Sequence, residues 1–409
     1  MLMADDTNRT ARFDIPRQKE TAMTEVIAGA VDTHDLEPAI QQLLDRKSAR
    51  IESNVTYQPL TAVEVTAKLR DFFATEAPNR TVNDVERIGG GASKEQFMFT
   101  LHDTTGVEKY ILRMDPIQTA AETDRQREFE VLNAYSPHVP APRADWVDHD
   151  GSRFGQPAAI MNFLSGVTKP SEKPSGPKVT GLGTSFPAGL RDDIGPEFVS
   201  VLARIHNVDW SACSLPSFAA PLAGTTQAAL WQINWMSRVW RDDHVQSSAL
   251  AAVTERWLRL NLPTCDAVVM VHGDYRTGNF LFNEEERRIT AILDWEFAHL
   301  GDFHEDLGWM VQDLYATRQD GRDLVCGLME RDELIASYEA ASGRTVNRRT
   351  LRWYEIYCAY KCYAITLATS IKAARDGSNH QDVLLSWLAP AGYRFSTALS
   401  SMISEELKS

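Results

Sequence analysis

Between residues 266 and 297, three short apolar runs alternate with polar bends, and this stretch constrains the chain more than any other. Val268-Val269-Met270-Val271 is fully apolar and short, the pattern of a buried strand. It delivers His272-Gly273-Asp274-Tyr275-Arg276-Thr277-Gly278-Asn279 as a loop. Phe280-Leu281-Phe282 predicts a second strand, 283–287 a polar turn, and Ile289-Thr290-Ala291-Ile292-Leu293 a third strand running into Asp294. The hairpin folds Asp294 back towards Asn279, so Asp274, Asn279 and Asp294 are expected to converge at one end of a small sheet.

One carboxylate on a loop, an amide five positions later and a second carboxylate after a hairpin suit phosphoryl transfer. That reaction asks little covalent chemistry of a protein. It needs positioning, a group to accept a hydroxyl proton, and hard oxygen ligands for Mg²⁺.

The rest of the chain divides around this island. Residues 1–55 are polar and mixed in charge, with one amphipathic helix expected over 35–44, begun by Asp35 and Pro38; this extension either packs on the body or stays mobile. Residues 56–163 read as a helix over 61–74, then short strands at 85–88, 96–101, 109–113, 144–147 and 158–163, with a charged helix over 120–135. That predicts a small antiparallel sheet with one helix against it. Residues 164–409 begin with a Gly-, Pro-, Ser- and Lys-rich loop at 165–190 and are otherwise mostly helical, including one long helix over 348–375. A β-rich lobe followed by an α-rich lobe defines an α+β class with two lobes.

Charge narrows the function. The 409 residues carry 42 Lys+Arg and 56 Asp+Glu, a net −14, which argues against a broad grip on nucleic acid or on an anionic membrane surface. No apolar stretch approaches the roughly 20 residues needed to span a bilayer. Five cysteines, with no Cys-x-x-Cys pair, favour a reducing compartment, and the N-terminus lacks a secretion-signal profile; a cytoplasmic location is expected. Cys358 and Cys362 are expected in the core.

H-G-D-Y-R-T-G-N, followed by I-L-D-W-E-F-A-H-L-G-D-F-H-E-D-L, resembles the signature of the aminoglycoside phosphotransferase and choline kinase family, whose members have a protein-kinase-like fold. The resemblance runs from about residue 80 to 375. It takes in V-L-A-R-I-H-N-V-D at 201–209 and the run R-W-Y-E-I-Y-C-A-Y-K. It implies an ATP- and Mg²⁺-dependent kinase acting on a small-molecule hydroxyl. By position Asp274 matches the catalytic base, Asn279 a metal-binding amide and Asp294 the principal Mg²⁺ ligand. His272 matches a place that shapes the loop, with proton transfer as the alternative role. Asp302 and Asp306 are expected to hold the loop as hydrogen-bond acceptors; Glu296 is expected either to support the site or to serve structure.

At the nucleotide end, Gly89, Gly90, Gly91 and Ser93 lie between two strands, where the family places a glycine-rich flap over the phosphates. The dipeptide Gly-Lys occurs nowhere in the chain, which excludes a Walker A loop. The resemblance expects a cation on the third strand paired with a helical glutamate. Arg113 stands where many relatives have Lys, and Glu128, which shares a helix face with Val131, Leu132 and Tyr135, is its expected partner. Met161 to Leu164, including Phe163, match the hinge that receives adenine through backbone hydrogen bonds.

The acceptor is open at this level. The run R-R-T-L-R-W-Y-E-I-Y-C-A-Y-K-C-Y-A-I-T-L-A looks like a branch of the family linked to acyl-CoA metabolism, some of whose members phosphorylate hydroxyacyl-CoA thioesters. Trp353, Tyr354, Tyr357, Tyr360 and Tyr363 are candidates to line an acceptor pocket or to pack the core. The alternatives are an aminoglycoside or other antibiotic O-phosphotransferase, a nucleotide-binding pseudokinase acting as an interaction module, and a protein kinase. Incubation with Mg-ATP and candidate acceptors separates them.

Overall fold

A computed structural model describes residues 35–52, 58–89, 94–117, 119, 121–171, 183–376 and 382–408, leaving aside the side chains of 51–52, 382–389 and 391. Gly90, Gly91 and Ser93, residues 1–34 and the middle of the loop at 165–190 lie outside the described residues.

The chain enters through α1 (Pro38–Glu52) and α2 (Ala62–Glu76). Thr61 starts α2 with a capping box: the Glu64 amide donates to Thr61 Oγ1 at 3.3 Å, and the Thr61 amide donates to Glu64 Oε2 at 2.7 Å. Strands β1 (Thr81–Arg87), β2 (Glu95–Asp103) and β3 (Gly106–Met114) follow, then α3 (Arg125–Tyr135), β4 (Ala144–Asp148) and β5 (Ala158–Asn162). The strands form one antiparallel sheet in the order β1-β2-β3-β5-β4.

Side chains alternate across this sheet, as the two-residue period of a strand requires. On β5, Ala158 and Ile160 join Val65, Leu69, Phe72 and Phe73 of α2 in one apolar cluster. Ala159 and Met161, one position out of phase, join Val131, Leu132 and Tyr135 of α3 in the other. The sheet is therefore covered by helices on both faces, where the sequence pattern suggested one. Phe73, 1% exposed, touches Phe72, Phe99 and Trp146, so Phe73→Ala would cost about 3–5 kcal/mol.

The second lobe contains α4 (Ala188–Asn207), α5 (Gln227–Asp243), α6 (Ala249–Leu260), β6 (Val268–Val271), β7 (Phe280–Asn283), β8 (Arg288–Ile292), β9 (His299–Asp302) and α7 (His304–Met310). After these come β10 (Thr317–Gln319), β11 (Arg322–Leu324), α8 (Arg331–Ser342), α9 (Arg348–Ala364), α10 (Ser370–Asp376) and α11 (Asp382–Glu406). Two expectations are corrected here. The island is not one three-stranded unit: β7 pairs with β8, whereas β6 pairs antiparallel with β9, which the sequence pattern left unassigned. The helix expected over 348–375 is interrupted by a π-helical segment, Ile365–Thr369, where the Thr366 hydroxyl donates back to Cys362 O at 2.7 Å.

The aromatic residues of α9 are core rather than pocket lining. Trp353, Tyr354, Tyr357, Tyr360 and Tyr363 are all buried; the Trp353 indole donates to Leu258 O at 3.0 Å and the Tyr357 hydroxyl to Gln232 at 3.1 Å. Cys358 and Cys362 are buried among them, and burial pushes the Cys362 thiol up to about 12. All five cysteines are unpaired.

Helix α1 is longer than expected and packs on the body. Leu36, Ile40, Leu43 and Leu44 enter the main core. Its polar side chains clamp the segment around α3, with Arg46 paired with Asp124 and Arg50 with Glu122, each at 2.6 Å, and Glu37, just ahead of the helix, accepts from Arg127 at 2.5 Å. Lys47 pairs with buried Asp243 on α5. Among the described residues no helix is long and apolar enough to cross a membrane.

Candidate active site

The loop after β6 has its backbone held group by group. Asp306 of α7 accepts from the amides of His272 (2.8 Å) and Gly273 (2.9 Å) and faces His206 Nε2 at 3.0 Å. Lys361 of α9, fully buried, donates to Gly273 O at 3.0 Å and pairs with Glu305 at 3.2 Å. Gly273 has φ +81°, and a Cβ there would meet Phe297 at 2.7 Å, so both conformation and space demand glycine. His272 is buried with both ring nitrogens engaged: Nε2 donates to Leu293 O at 3.0 Å, and Nδ1 accepts from the Asp274 amide at 3.2 Å. Burial holds its pKa below the ordinary histidine value, favouring the neutral ring. A ring so occupied braces the loop; it does not fit the alternative role in proton transfer. Asp306 sits where a loop-holding acceptor was expected. Asp302 instead accepts from the backbone and ring of His304, at the start of α7.

The Asp274 carboxylate emerges from this framework, and three side chains fix it. Asn279 Nδ2 donates to Oδ2 at 2.6 Å and to Asp274 O at 3.0 Å. Both neighbours are acceptors, so the Asn279 amide must point its nitrogen at Asp274, which turns its oxygen the other way. On Oδ1, Trp309 Nε1 donates at 2.7 Å and Arg276 Nε at 2.8 Å.

The hairpin brings the second carboxylate alongside. The Leu293 amide donates to Asn279 O at 2.7 Å, which places Asp294 next to Asn279 in the fold. Asp294 itself has φ +68° and ψ +50°, a left-handed conformation that Asp tolerates better than most residues and that concentrates at functional sites.

From the first lobe, Arg113 reaches this carboxylate. Its Nη1 donates to Glu128 at 2.6 Å and its Nη2 to Asp294 at 2.7 Å. Register explains the approach: Arg113 pairs with Gln96 on β2 and Ala159 on β5, in the middle of the sheet. Burial opposes ionisation of Asp294, but the Arg113 guanidinium holds its carboxyl below the usual carboxylate range. Behind this pair lies a buried cluster: Lys94 pairs with Asp115 at 3.0 Å, Arg125 with Asp115 at 3.2 Å, and Glu296 lies within 3.3–3.6 Å of Arg125, Lys94 and Arg113. Burial raises the pKa of Glu296 despite these cations. Asp294 is the outermost carboxylate of the cluster, its side chain 29% exposed against 0% for Glu128 and 4% for Glu296. It is the member open to a ligand.

At the nucleotide end only Gly89 of the glycine run lies within the described residues. Met161 sits inside β5, paired with Ile111 on one side and Ala144 on the other, and the Phe163 amide donates to Lys109 O at 2.9 Å. The Phe163 N–H, just past the end of β5, is thus engaged by the neighbouring strand.

Lys94, Arg125, Arg276, Trp309 and Lys361 were not singled out from sequence. Two of them lay inside quoted runs, Arg276 in H-G-D-Y-R-T-G-N and Lys361 at the end of R-W-Y-E-I-Y-C-A-Y-K.

Residues 84–354 match the phosphotransferase enzyme family. Among curated proteins, acyl-CoA dehydrogenase family member 10 of Mus musculus is 29% identical over 222 residues, 54% of this chain and 19% of that protein. A probable acyl-CoA dehydrogenase of Arabidopsis thaliana is 24% identical over 304 residues, 69% of this chain and 35% of that protein. The chain thus spans about a third or less of the length of these relatives. Among solved structures, a putative aminoglycoside phosphotransferase of Ralstonia eutropha superposes with TM-score 0.57 at 23% identity, covering 84% of this chain and 99% of that one. A Plasmodium vivax ethanolamine kinase gives TM-score 0.51 at 13% identity, covering 87% of this chain and 94% of that one. These likenesses show the two-lobed kinase-like phosphotransferase fold.

Proposed function

The chain belongs to the phosphotransferase enzyme family, and from that premise we propose that it moves the γ-phosphoryl group of ATP, with Mg²⁺, to a hydroxyl of a hydroxyacyl-CoA thioester. The observation that carries phosphoryl transfer is the convergence of Asp274, Asn279 and Asp294 beneath the Arg113–Glu128 pair. In this reading the acceptor oxygen bonds to the γ-phosphorus as the bond to ADP breaks, and Asp274 takes the hydroxyl proton. Arg113, aimed by Glu128, grips the phosphates. The amide oxygen of Asn279 and the carboxylate of Asp294 are hard ligands that fit Mg²⁺, with ATP phosphates and water completing the shell. When bound, that ion neutralises charge on the β- and γ-phosphates.

The acyl-CoA part rests on the relatives, several of which bear acyl-CoA dehydrogenase names. Five unpaired thiols suit a reducing compartment, and we assign the protein to the cytoplasm. The test is incubation with Mg-ATP and a panel of hydroxyacyl-CoA esters, aminoglycosides and choline-like amines, read by mass spectrometry. A phosphate ester on the CoA thioester is the expected product. Phosphorylation of an antibiotic or an amine alone would overturn the acceptor, and ATP binding without any ester would overturn the transfer.

A further inference from the structure

We infer that Trp309 is a positioning residue for the phosphoryl transfer: its indole N–H fixes the Asp274 carboxylate so that Oδ2, beside Asn279, is the oxygen that meets the acceptor hydroxyl. This rests on the proposed role of Asp274 as base.

Lone pairs decide the matter. A carboxylate oxygen offers about two hydrogen-bonding directions. On Oδ1 both are filled, by Trp309 Nε1 at 2.7 Å and Arg276 Nε at 2.8 Å. Oδ2 takes one short bond, from Asn279 Nδ2 at 2.6 Å; the Arg276 Nη2 contact, at 3.5 Å, is at the outer limit. Oδ2 therefore keeps a direction for the proton of an incoming hydroxyl. Arg276 is the more exposed donor, its side chain 20% exposed and also bonded to Thr277 O at 3.1 Å, whereas Trp309 is 5% exposed.

The indole is itself locked. Asp306 and Trp309 stand three positions apart on α7 and so share a face. Asp306 holds the backbone of His272 and Gly273 while Trp309 holds the next side chain along. Gly308 lets α7 touch α9, since a Cβ there would lie 2.8 Å from the Tyr354 backbone. The Lys361 ammonium sits 4.9 Å from the Trp309 ring centre and also donates to Gly273 O, so one cation of α9 braces both the indole and the loop.

Trp309→Phe keeps an aromatic ring under Lys361 and deletes the donor together with part of the ring volume. It is compared with wild type, Asp274→Asn and the double variant in Mg-ATP hydrolysis, with water standing in for the acceptor alcohol. We expect kcat to fall roughly ten- to hundredfold, the value of one hydrogen bond to a charged group, with KM for ATP unchanged. In the Asp274→Asn background the same change should cost nothing further. A structural tryptophan predicts the opposite split, a lower Tm with kcat retained, and that result overturns the inference. Asp274→Asn at wild-type rate would instead overturn the proposed base; Asp274→Asn inactive with Trp309→Phe fully active would overturn only the positioning role. The indole N–H resonance that Trp309→Phe removes reports on the contact without any turnover. It must shift upfield in Asp274→Asn, and a resonance indifferent to that change refutes the contact.

Discussion

Arg113 Nη2 donates to Asp294 Oδ1 across 2.7 Å, so the cation proposed to grip phosphate rests on the carboxylate proposed to hold the metal. Nucleotide and metal must divide this pair between them. Glu128, bonded to the other guanidinium nitrogen at 2.6 Å, keeps Arg113 in the cleft when Asp294 is given up.

Arg113→Lys should therefore retain substantial ATP-dependent activity, because the ammonium still faces both carboxylates. Arg113→Met should lose roughly ten- to hundredfold in kcat/KM for ATP. Combining Arg113→Met with Glu128→Gln should cost less than the sum of the two. Equal, near-wild-type kinetics in the Lys and Met variants would remove Arg113 from the phosphate site.

Asp294→Ala should abolish the Mg²⁺-dependent part of ATP binding, since the outermost carboxylate of the cluster is gone. Calorimetric titration with ATP, with and without Mg²⁺, measures it directly; an unchanged metal dependence sinks the assignment.

Asp274→Asn should lower turnover by about 10²–10⁴-fold, the usual worth of a general base, while ATP affinity stays near wild type. Steady-state kinetics paired with nucleotide titration separate the two quantities.

Asp306 gives a pH signature in stability. Burial opposes its ionisation, but the hydrogen bond with His206 and that from the His272 amide hold the carboxyl below the usual range. A depressed carboxyl stabilises the fold above its unfolded value of about 3.9, and that contribution is lost as pH falls through the native value. Asp306→Asn should cost about 3 kcal/mol near neutrality, with the gap to wild type closing in acid. A gap that stays constant down to about pH 3 would contradict the carboxylate's role.

What was legible in the sequence was local. Asp274, Asn279 and Asp294 sit on one loop and one hairpin, so turn chemistry alone brings them together. Arg113 and Glu128 are 15 positions apart on a strand and the next helix, and the face that Glu128 shares with Val131, Leu132 and Tyr135 is the one turned to the strand. Glu130, two positions on, accepts from Ser217 instead. Lys94, Arg125 and Lys361 were not legible, because burying a cation depends on carboxylates supplied by distant elements; Arg125 and Glu296 meet across 171 positions. Strand β9 escaped because His299-Leu300-Gly301-Asp302 lacks alternation, and only its pairing with β6 makes it a strand. Nothing along the chain announces that the Trp309 nitrogen meets Asp274.

The clamp formed by α1 has a consequence for the order in which the molecule can assemble during synthesis. α1 is the first described helix to leave the ribosome, yet Arg127, the partner of Glu37, follows 90 positions later, and Asp243, the partner of Lys47, 196 positions later. Closing so long a loop adds little to the equilibrium cost but delays the event. A nascent chain halted after the sheet therefore holds α1 with Arg127 made but no Asp243. Ile40, Leu43 and Leu44 then lack their packing on the second lobe and remain an adhesive surface until α5 is out.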